Sequence, residues 1–199
     1  MHPEARHFTI FVKNMLPGYF QNKTVLDVGS GDINGNNRFL FKNCEYHGND
    51  VTQAPNVTIV SFTKDLPFGN ETFDTIVSTE CFEHDPEYAS SFKKIYDMLK
   101  PNGLFVFTCA STGRPEHGTR KTSKECSWGT KAQLTNMQDY YKNLTTNDVD
   151  KVLNIDESFQ VVNTYYNNRS YDLYFVGIKS PSNVRTLPEY KQLGVVTQH

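Results

Sequence analysis

The stretch Thr24-Val25-Leu26-Asp27-Val28-Gly29-Ser30-Gly31 decides the fold. Its first five residues form a short, mostly apolar run, the pattern of a buried strand. The run passes directly into Gly-x-Gly, which reads as a turn and not as more strand. Gly29 and Gly31 let the backbone bend tightly and let a ligand approach where a Cβ would collide. In an open α/β sheet a ligand sits outside the carboxyl ends of the strands, so this loop marks the predicted binding edge.

Upstream of that strand, Phe8, Phe11, Val12 and Met15 fall at helical spacing, and Pro17-Gly18 ends the helix. Downstream, a short helix is predicted over 35–41, then strands at 45–48, 57–60, 73–78 and 104–108. Between the last two, Ala89, Phe92, Ile95, Tyr96 and Leu99 form one apolar helix face. Pro86 suits the first turn of that helix, and Lys100-Pro101-Asn102-Gly103 stops it. Strands and helices alternating at these lengths predict an α/β, Rossmann-like three-layer sandwich with a mostly parallel sheet.

Two further features depart from that alternation. The stretch 111–140 is polar and broken by Gly and Pro, and is predicted to be an irregular insertion above the sheet with one or two short helices. Beyond a helix at 146–153, which Thr146 is placed to cap, strands at 159–166 and 171–179 are joined only by Asn167-Asn168-Arg169-Ser170. A parallel crossover needs about a dozen residues, so this pair must be an antiparallel hairpin. The chain of 199 residues has room for one substantial domain and little more, so 1–199 is read as a single unit.

The next strand ends at Asp50, 23 residues after Asp27, where a carboxylate can accept two hydrogen bonds from a ribose diol. The series strand, Gly-x-Gly, helix, strand, Asp points to an adenosine-containing cofactor. A dinucleotide fingerprint would need a third glycine at position 34, which is Asn34. That substitution and the closing hairpin argue against a nicotinamide dehydrogenase.

The chain resembles the class I S-adenosylmethionine-dependent methyltransferases, in particular those with type 11 methyltransferase domains. The resemblance is carried by Val25–Gly31, Gly48-Asn49-Asp50, Asp65-Leu66-Pro67-Phe68, Phe73-Asp74-Thr75-Ile76-Val77 and Leu99-Lys100-Pro101-Asn102-Gly103-Leu104, across residues 22–110. It implies a seven-stranded sheet with the last strand inserted antiparallel, and S-adenosyl-L-methionine as cofactor. It also implies that Gly29, Ser30 and Gly31 hold the methionine and ribose portion, with Asp27 beside the loop and Asp50 on the ribose hydroxyls. Glu80, Cys81 and Phe82 would line the cofactor near its sulfonium. Two residues depart from the family pattern. Ile33 occupies the position of a third loop glycine, so Asp32 or Asn34 is a candidate for polar contacts there. Phe62 stands where many relatives carry an acidic residue for the adenine amine, and is either a stacking partner or a core residue.

Methyl transfer is a one-step displacement at carbon that needs alignment and exclusion of water, plus a base when the acceptor is a hydroxyl. His84, within Thr79-Glu80-Cys81-Phe82-Glu83-His84-Asp85, is the first candidate base, with Glu83 or Asp85 placed to orient it or raise its pKa. A structural role beneath the cofactor is the alternative. His117 is the second candidate. Around it Arg114, Arg120, Lys121 and Lys124 concentrate positive charge suited to an anionic or nucleotide-sugar acceptor, or simply form a solvated loop. Trp128, Tyr140 and Tyr141 are candidates for an acceptor wall or for anchoring the insertion. No metal is assigned, because the spacing of His84, His117, Asp85 and Glu116 decides nothing.

A net charge of -2 offers no general attraction to nucleic acid or an anionic membrane. Cys44, Cys81, Cys109 and Cys126 lack the close pairs of a zinc or redox motif and read as free thiols. No apolar run approaches the roughly 20 residues of a membrane span, and Met1-His2-Pro3-Glu4-Ala5-Arg6-His7 does not resemble a signal peptide. The expectation is a cytoplasmic enzyme with a small-molecule acceptor, a hydroxyl of a sugar or glycan precursor. A methyltransferase-like interaction module without chemistry is the alternative.

Overall fold

The run Leu104-Phe105-Val106-Phe107 is buried on both sides, which is why it shows no polar alternation. Phe105 and Phe107 join one apolar cluster with Leu26, Ile76, Phe92 and Phe175. Leu104 and Val106 join another with Phe8, Tyr165 and Tyr174. The two-residue period of a strand places these sets on opposite faces of one sheet.

In the computed structural model, which describes residues 2–199, the helices are α1 (Pro3–Met15), α2 (Tyr88–Met98), α3 (Trp128–Lys131), α4 (Thr146–Leu153) and α5 (Ile155–Ser158). The strands are β1 (Thr24–Val28), β2 (Glu45–Asp50), β3 (Ile59–Val60), β4 (Phe73–Thr79), β5 (Leu99–Ala110), β6 (Phe159–Asn167), β7 (Asp172–Lys179) and β8 (Val195–Thr197). Met1, the first residue of the opening stretch read above, lies outside the described residues. The sheet order is β3-β2-β1-β4-β5-β7-β6-β8. The pairs β1–β2, β1–β4, β2–β3 and β4–β5 are parallel, whereas β5–β7, β6–β7 and β6–β8 are antiparallel. The mostly parallel α/β sheet and its closing hairpin are therefore as expected. α2 and α4 cover one face through Phe92, Ile95, Met98, Val149 and Leu153. α1 covers the other, where Phe8 stacks on Tyr174 at 4.7 Å.

The structure corrects four local expectations. The sheet has eight strands among the described residues and not seven, because Val195–Thr197 adds to the β6 edge. Three residues near the end of the chain are too few to leave a strand signature. The helix expected over 35–41 is only a 3-10 turn at Arg38–Leu40. There Asp32 accepts from the Gly35 N–H at 2.7 Å and the Asn36 side chain at 2.7 Å, and Asn36 accepts from the Arg38 N–H at 3.0 Å. Such local side-chain bonds compete with helix formation. The turn expected at 100–103 is absorbed into β5, whose pairing with β4 shifts register between Phe73 and Thr75.

Finally, Thr145 and not Thr146 caps α4. Its hydroxyl accepts from the Asp148 N–H, and the Asp148 carboxylate accepts from the Thr145 N–H at 2.9 Å. Thr145→Ala is expected to cost about 1 kcal/mol of stability, read as a lower denaturant midpoint at unchanged slope. An unchanged midpoint would mean the cap contributes nothing.

Candidate active site

β1 and β2 run side by side with Asp27 opposite Gly48 and Val28 opposite Asn49, so their carboxyl ends open onto the same edge. At that edge Gly29 adopts φ +69°, and a Cβ there would lie 2.5 Å from the Cys81 side chain. At Gly31 a Cβ would stand 2.7 Å from Asp50 Oδ2 and 2.5 Å from the Trp128 indole. Both glycines are thus required by close approach. Asp50 Oδ2 accepts the Gly31 N–H at 2.9 Å and Oδ1 accepts the Val51 N–H at 2.8 Å. Burial raises the Asp50 pKa, opposed by those two N–H donors.

Asp27 is fully buried beneath the loop. It accepts hydrogen bonds from the Tyr46 hydroxyl and from Asn37 Nδ2, the latter at 3.0 Å. Burial pushes its carboxyl up to about 6 against these bonds. Tyr46 in turn accepts from Asn56 Nδ2 at 3.0 Å, and Asn56 Oδ1 accepts from Arg38 Nε at 2.9 Å. Asp27 therefore organises the floor of the loop. Sequence reading missed Asn37, Tyr46 and Asn56, whose partners are distant in the chain.

Beyond β4 the chain turns at Glu80, a non-glycine residue with φ +55°, the kind of strained backbone that concentrates at functional edges. Glu80 accepts from the Thr108 hydroxyl at 2.7 Å, and its other oxygen lies 3.0 Å from His2 Nε2. The same nitrogen lies 3.0 Å from Asp172, which Arg114 also approaches at 3.3 Å. Burial opposes the charge on His2, but hydrogen bonds to Asp172 and Glu80 outweigh it and raise the pKa to about 10. His2 is the residue that sequence reasoning overlooked most completely, because nothing beside it in the chain signals a role.

Phe82, Glu83 and His84 form a 3-10 turn, and all three are buried. Burial and the nearby charge of His117 lower the His84 pKa to about 3, opposite to the increase expected from its acidic neighbours. Asp85 does not orient His84. It accepts from the Glu87 N–H at 2.8 Å and the Ser91 hydroxyl at 2.6 Å, securing the start of α2. The His84 ring meets the His117 ring edge-on at 4.9 Å, and Tyr141 packs against both. His117 Nδ1 lies 3.2 Å from the Pro115 carbonyl. A carbonyl only accepts, so Nδ1 carries the proton and Nε2 keeps its lone pair. Gly118, at φ +71°, lets the loop close over His84, since a Cβ there would lie 2.5 Å from the imidazole.

These groups surround one cavity of about 200 Å³. Of the predicted residues, Asp27, Gly29, Ser30, Gly31, Asp50, Phe62, Glu80, Cys81, His84, Arg114, His117 and Trp128 line it, together with Ile33 and Asn34. Phe62 is thus in the wall. Asp32 also differs from expectation, its carboxylate being engaged by the loop itself. Four predicted residues lie outside the lining. Phe82 points into the core against Phe92 and Phe107. Arg120 is exposed and paired with Asp139. Tyr140 is away from the wall, and Tyr141 backs the two histidines from behind. Of the basic cluster read from 114–124, Arg114 and His117 reach the cavity, whereas Arg120, Lys121 and Lys124 do not.

The charge of the wall has chemical consequences. Among the described residues, Asp27, Asp50, Glu80 and Asp85 face the cavity, against two cations, Arg114 and His2, the latter kept protonated by its carboxylate partners. Among the described residues no α-helix lies between β1 and β2, only the 3-10 turn Arg38–Leu40, so the glycine loop does not lead into a helix N-terminus for a pyrophosphate. This environment favours a cationic ligand over a dinucleotide. No helix among the described residues is long and apolar enough to cross a membrane.

Residues 26–107 match the family model described as a methyltransferase domain. Among solved structures, the chain is similar to the Burkholderia thailandensis 1,6-didemethyltoxoflavin-N1-methyltransferase, solved with 1,6-didemethyltoxoflavin and S-adenosylhomocysteine. That match has a TM-score of 0.61 and 16% identity, covering 89% of this chain and 78% of that one. It is also similar to the Haemonchus contortus phosphoethanolamine N-methyltransferase 2, with a TM-score of 0.60 and 17% identity over 87% of this chain and 52% of that one. The chain thus spans about half of that second protein. A SAM-dependent methyltransferase from Aquifex aeolicus matches with a TM-score of 0.57 and 15% identity, over 85% of this chain and 88% of that one. At these identities the likeness is one of fold.

Proposed function

We propose that this chain, which has the class I methyltransferase fold and matches the methyltransferase-domain model over residues 26–107, is an S-adenosylmethionine-dependent enzyme that methylates a hydroxyl of a small molecule such as a sugar or glycan precursor. The observation that carries the reading is that one cavity gathers these groups. It has the Gly29–Gly31 loop and Asp50 at one part of its wall, His84 and His117 at another, and four carboxylates around it. S-adenosylmethionine carries a sulfonium cation, which an acidic wall favours.

In this assignment Asp50 would accept from the ribose hydroxyls, Phe62 would lie along the adenine, and Glu80 and Cys81 would stand near the sulfonium, all four lining the cavity. When bound, S-adenosylmethionine would supply an activated methyl group to the acceptor hydroxyl and would leave as S-adenosylhomocysteine, with a methyl ether as the other product. His117 Nε2 takes the hydroxyl proton. His84, with its pKa of about 3, is the weaker base and holds the neighbouring wall.

Trp128, the only tryptophan of the chain, reports on the event. Its indole packs against Gly31 and its N–H is buried without a hydrogen-bond partner. Titration with S-adenosylhomocysteine is expected to shift Trp128 fluorescence and to give one-site binding heat, while NAD⁺ gives neither. Folded protein that binds neither S-adenosylmethionine nor S-adenosylhomocysteine would rule the enzyme out in favour of an interaction module.

A further inference from the structure

Glu83 has no exposed surface, yet neither of its carboxylate oxygens has a hydrogen-bond partner. A buried polar side chain left without partners is unfavourable, so its retention beside two histidines calls for an explanation. His84 Nδ1 is likewise buried without a partner. His117 Nε2 lies 3.9 Å from Glu83 Oε1, and one donor atom from each of Glu83, His84 and His117 lies within 4.8 Å of the others. Adjacent ligand atoms around a first-row divalent ion are separated by roughly 3 Å, given bonds of about 2.0–2.2 Å. The three side chains therefore need only small adjustments to share one ion.

We propose that Glu83, His84 and His117 form a binding site for one divalent transition-metal ion. Two imidazoles and one carboxylate select Mn²⁺, Co²⁺ or Zn²⁺ over Mg²⁺ or Ca²⁺, which prefer all-oxygen sites. Three protein ligands leave coordination positions open, the pattern of catalytic and not structural sites. Because His84 and His117 line the cavity, an ion held there would be reachable from it. The protein also prepares the ligands. Pro115 fixes the His117 tautomer that leaves Nε2 free, and Tyr141 packs behind both rings. A second cluster, His2 with Glu80 and Asp172, differs because its imidazole already bridges both carboxylates at 3.0 Å.

The site itself does not depend on the methyl-transfer reading. Its role does rest on that reading: a cation there would bind the acceptor hydroxyl and lower its pKa, so that the proton would leave to solvent water at the cavity mouth, with His117 serving as a ligand in place of the base it provides in the metal-free site. The test uses the chelator-treated protein titrated with Co²⁺, followed by visible absorption, and with Mn²⁺, followed by loss of the free-ion paramagnetic signal. One equivalent is expected to bind, with ligand-field bands on Co²⁺ addition. His117→Ala, at a partly exposed position, should weaken binding at least about tenfold; circular dichroism would verify its fold. His47→Ala, remote from the cavity, should bind as wild type does. Absence of saturable binding overturns the site, as does equal affinity in wild type and His117→Ala. Loss in His2→Ala with retention in His117→Ala would place the ion in the other cluster and also overturn it. Calorimetry with S-adenosylhomocysteine on the same samples reports separately on the cofactor reading.

Discussion

Gly31→Ala is expected to weaken S-adenosylhomocysteine binding by at least about 100-fold, roughly 2.7 kcal/mol, while the protein remains folded. The added Cβ would stand 2.7 Å from Asp50 Oδ2 and 2.5 Å from the Trp128 indole. Both neighbours are side chains of the cavity wall, so relief of the clash displaces the proposed ribose ligand and the indole over the loop. Asp50 also loses the geometry in which it accepts the Gly31 N–H. The loop lies at the surface end of β1, outside both apolar clusters, so the core is not asked to adjust. Gly69→Ala is the matched control, because nothing lies within 4 Å of its added Cβ. Calorimetry on the three proteins decides the matter. Wild-type affinity in Gly31→Ala would remove the glycine loop from the cofactor site.

His2→Ala should lower stability by about 2 kcal/mol near pH 6, a fall of roughly 4–8 °C in Tm. Removing the imidazole leaves Glu80 and Asp172 with no cation between them, although Arg114 still approaches Asp172 at 3.3 Å. The figure is set below that of a fully buried pair because the His2 side chain is 19% exposed. The sign with pH follows from the raised folded-state pKa. The stabilisation is fully present below about pH 6.5 and is lost as pH rises through about 10. On the acid side, burial opposes ionisation of Glu80, but hydrogen bonding to His2 and its charge hold the carboxyl at about 2. Its contribution is lost only as pH falls through that value. Melting curves of wild type should therefore decline between pH 6.5 and 10 more steeply than those of His2→Ala. Superimposable profiles would show that the bridge is not closed in solution.

Legibility of the site followed distance along the chain. Gly29, Gly31 and Asp50 were readable because each sits at the end of a strand whose apolar run is short and whose exit is marked by a turn residue or a polar one. Ile33 was read as a reshaped loop exit, and Asp32 and Asn36 do reshape it, though by bonding within the loop. The insertion was less legible. Trp128 reaches the glycine loop, but Arg120 and Tyr140 do not reach the cavity, and no periodicity at 111–140 distinguishes them. Glu83 was read as a helper of His84, although burial and two unpartnered oxygens make it a separate chemical feature.

By itself, the sequence determined the class of sheet, the edge at which a ligand binds and the antiparallel close. These follow from local rules: alternation, turn residues and the length of a connection that cannot cross over. Only the tertiary structure decided which side chains meet there. His2, Glu80 and Asp172 come from the two ends and the middle of the chain, as do Asp27, Tyr46 and Asn56 within the first sixty residues. Their pairing is driven by the cost of burying charge and polar groups without partners. That cost exists only once the sheet has enclosed them, so no local pattern in the chain records it.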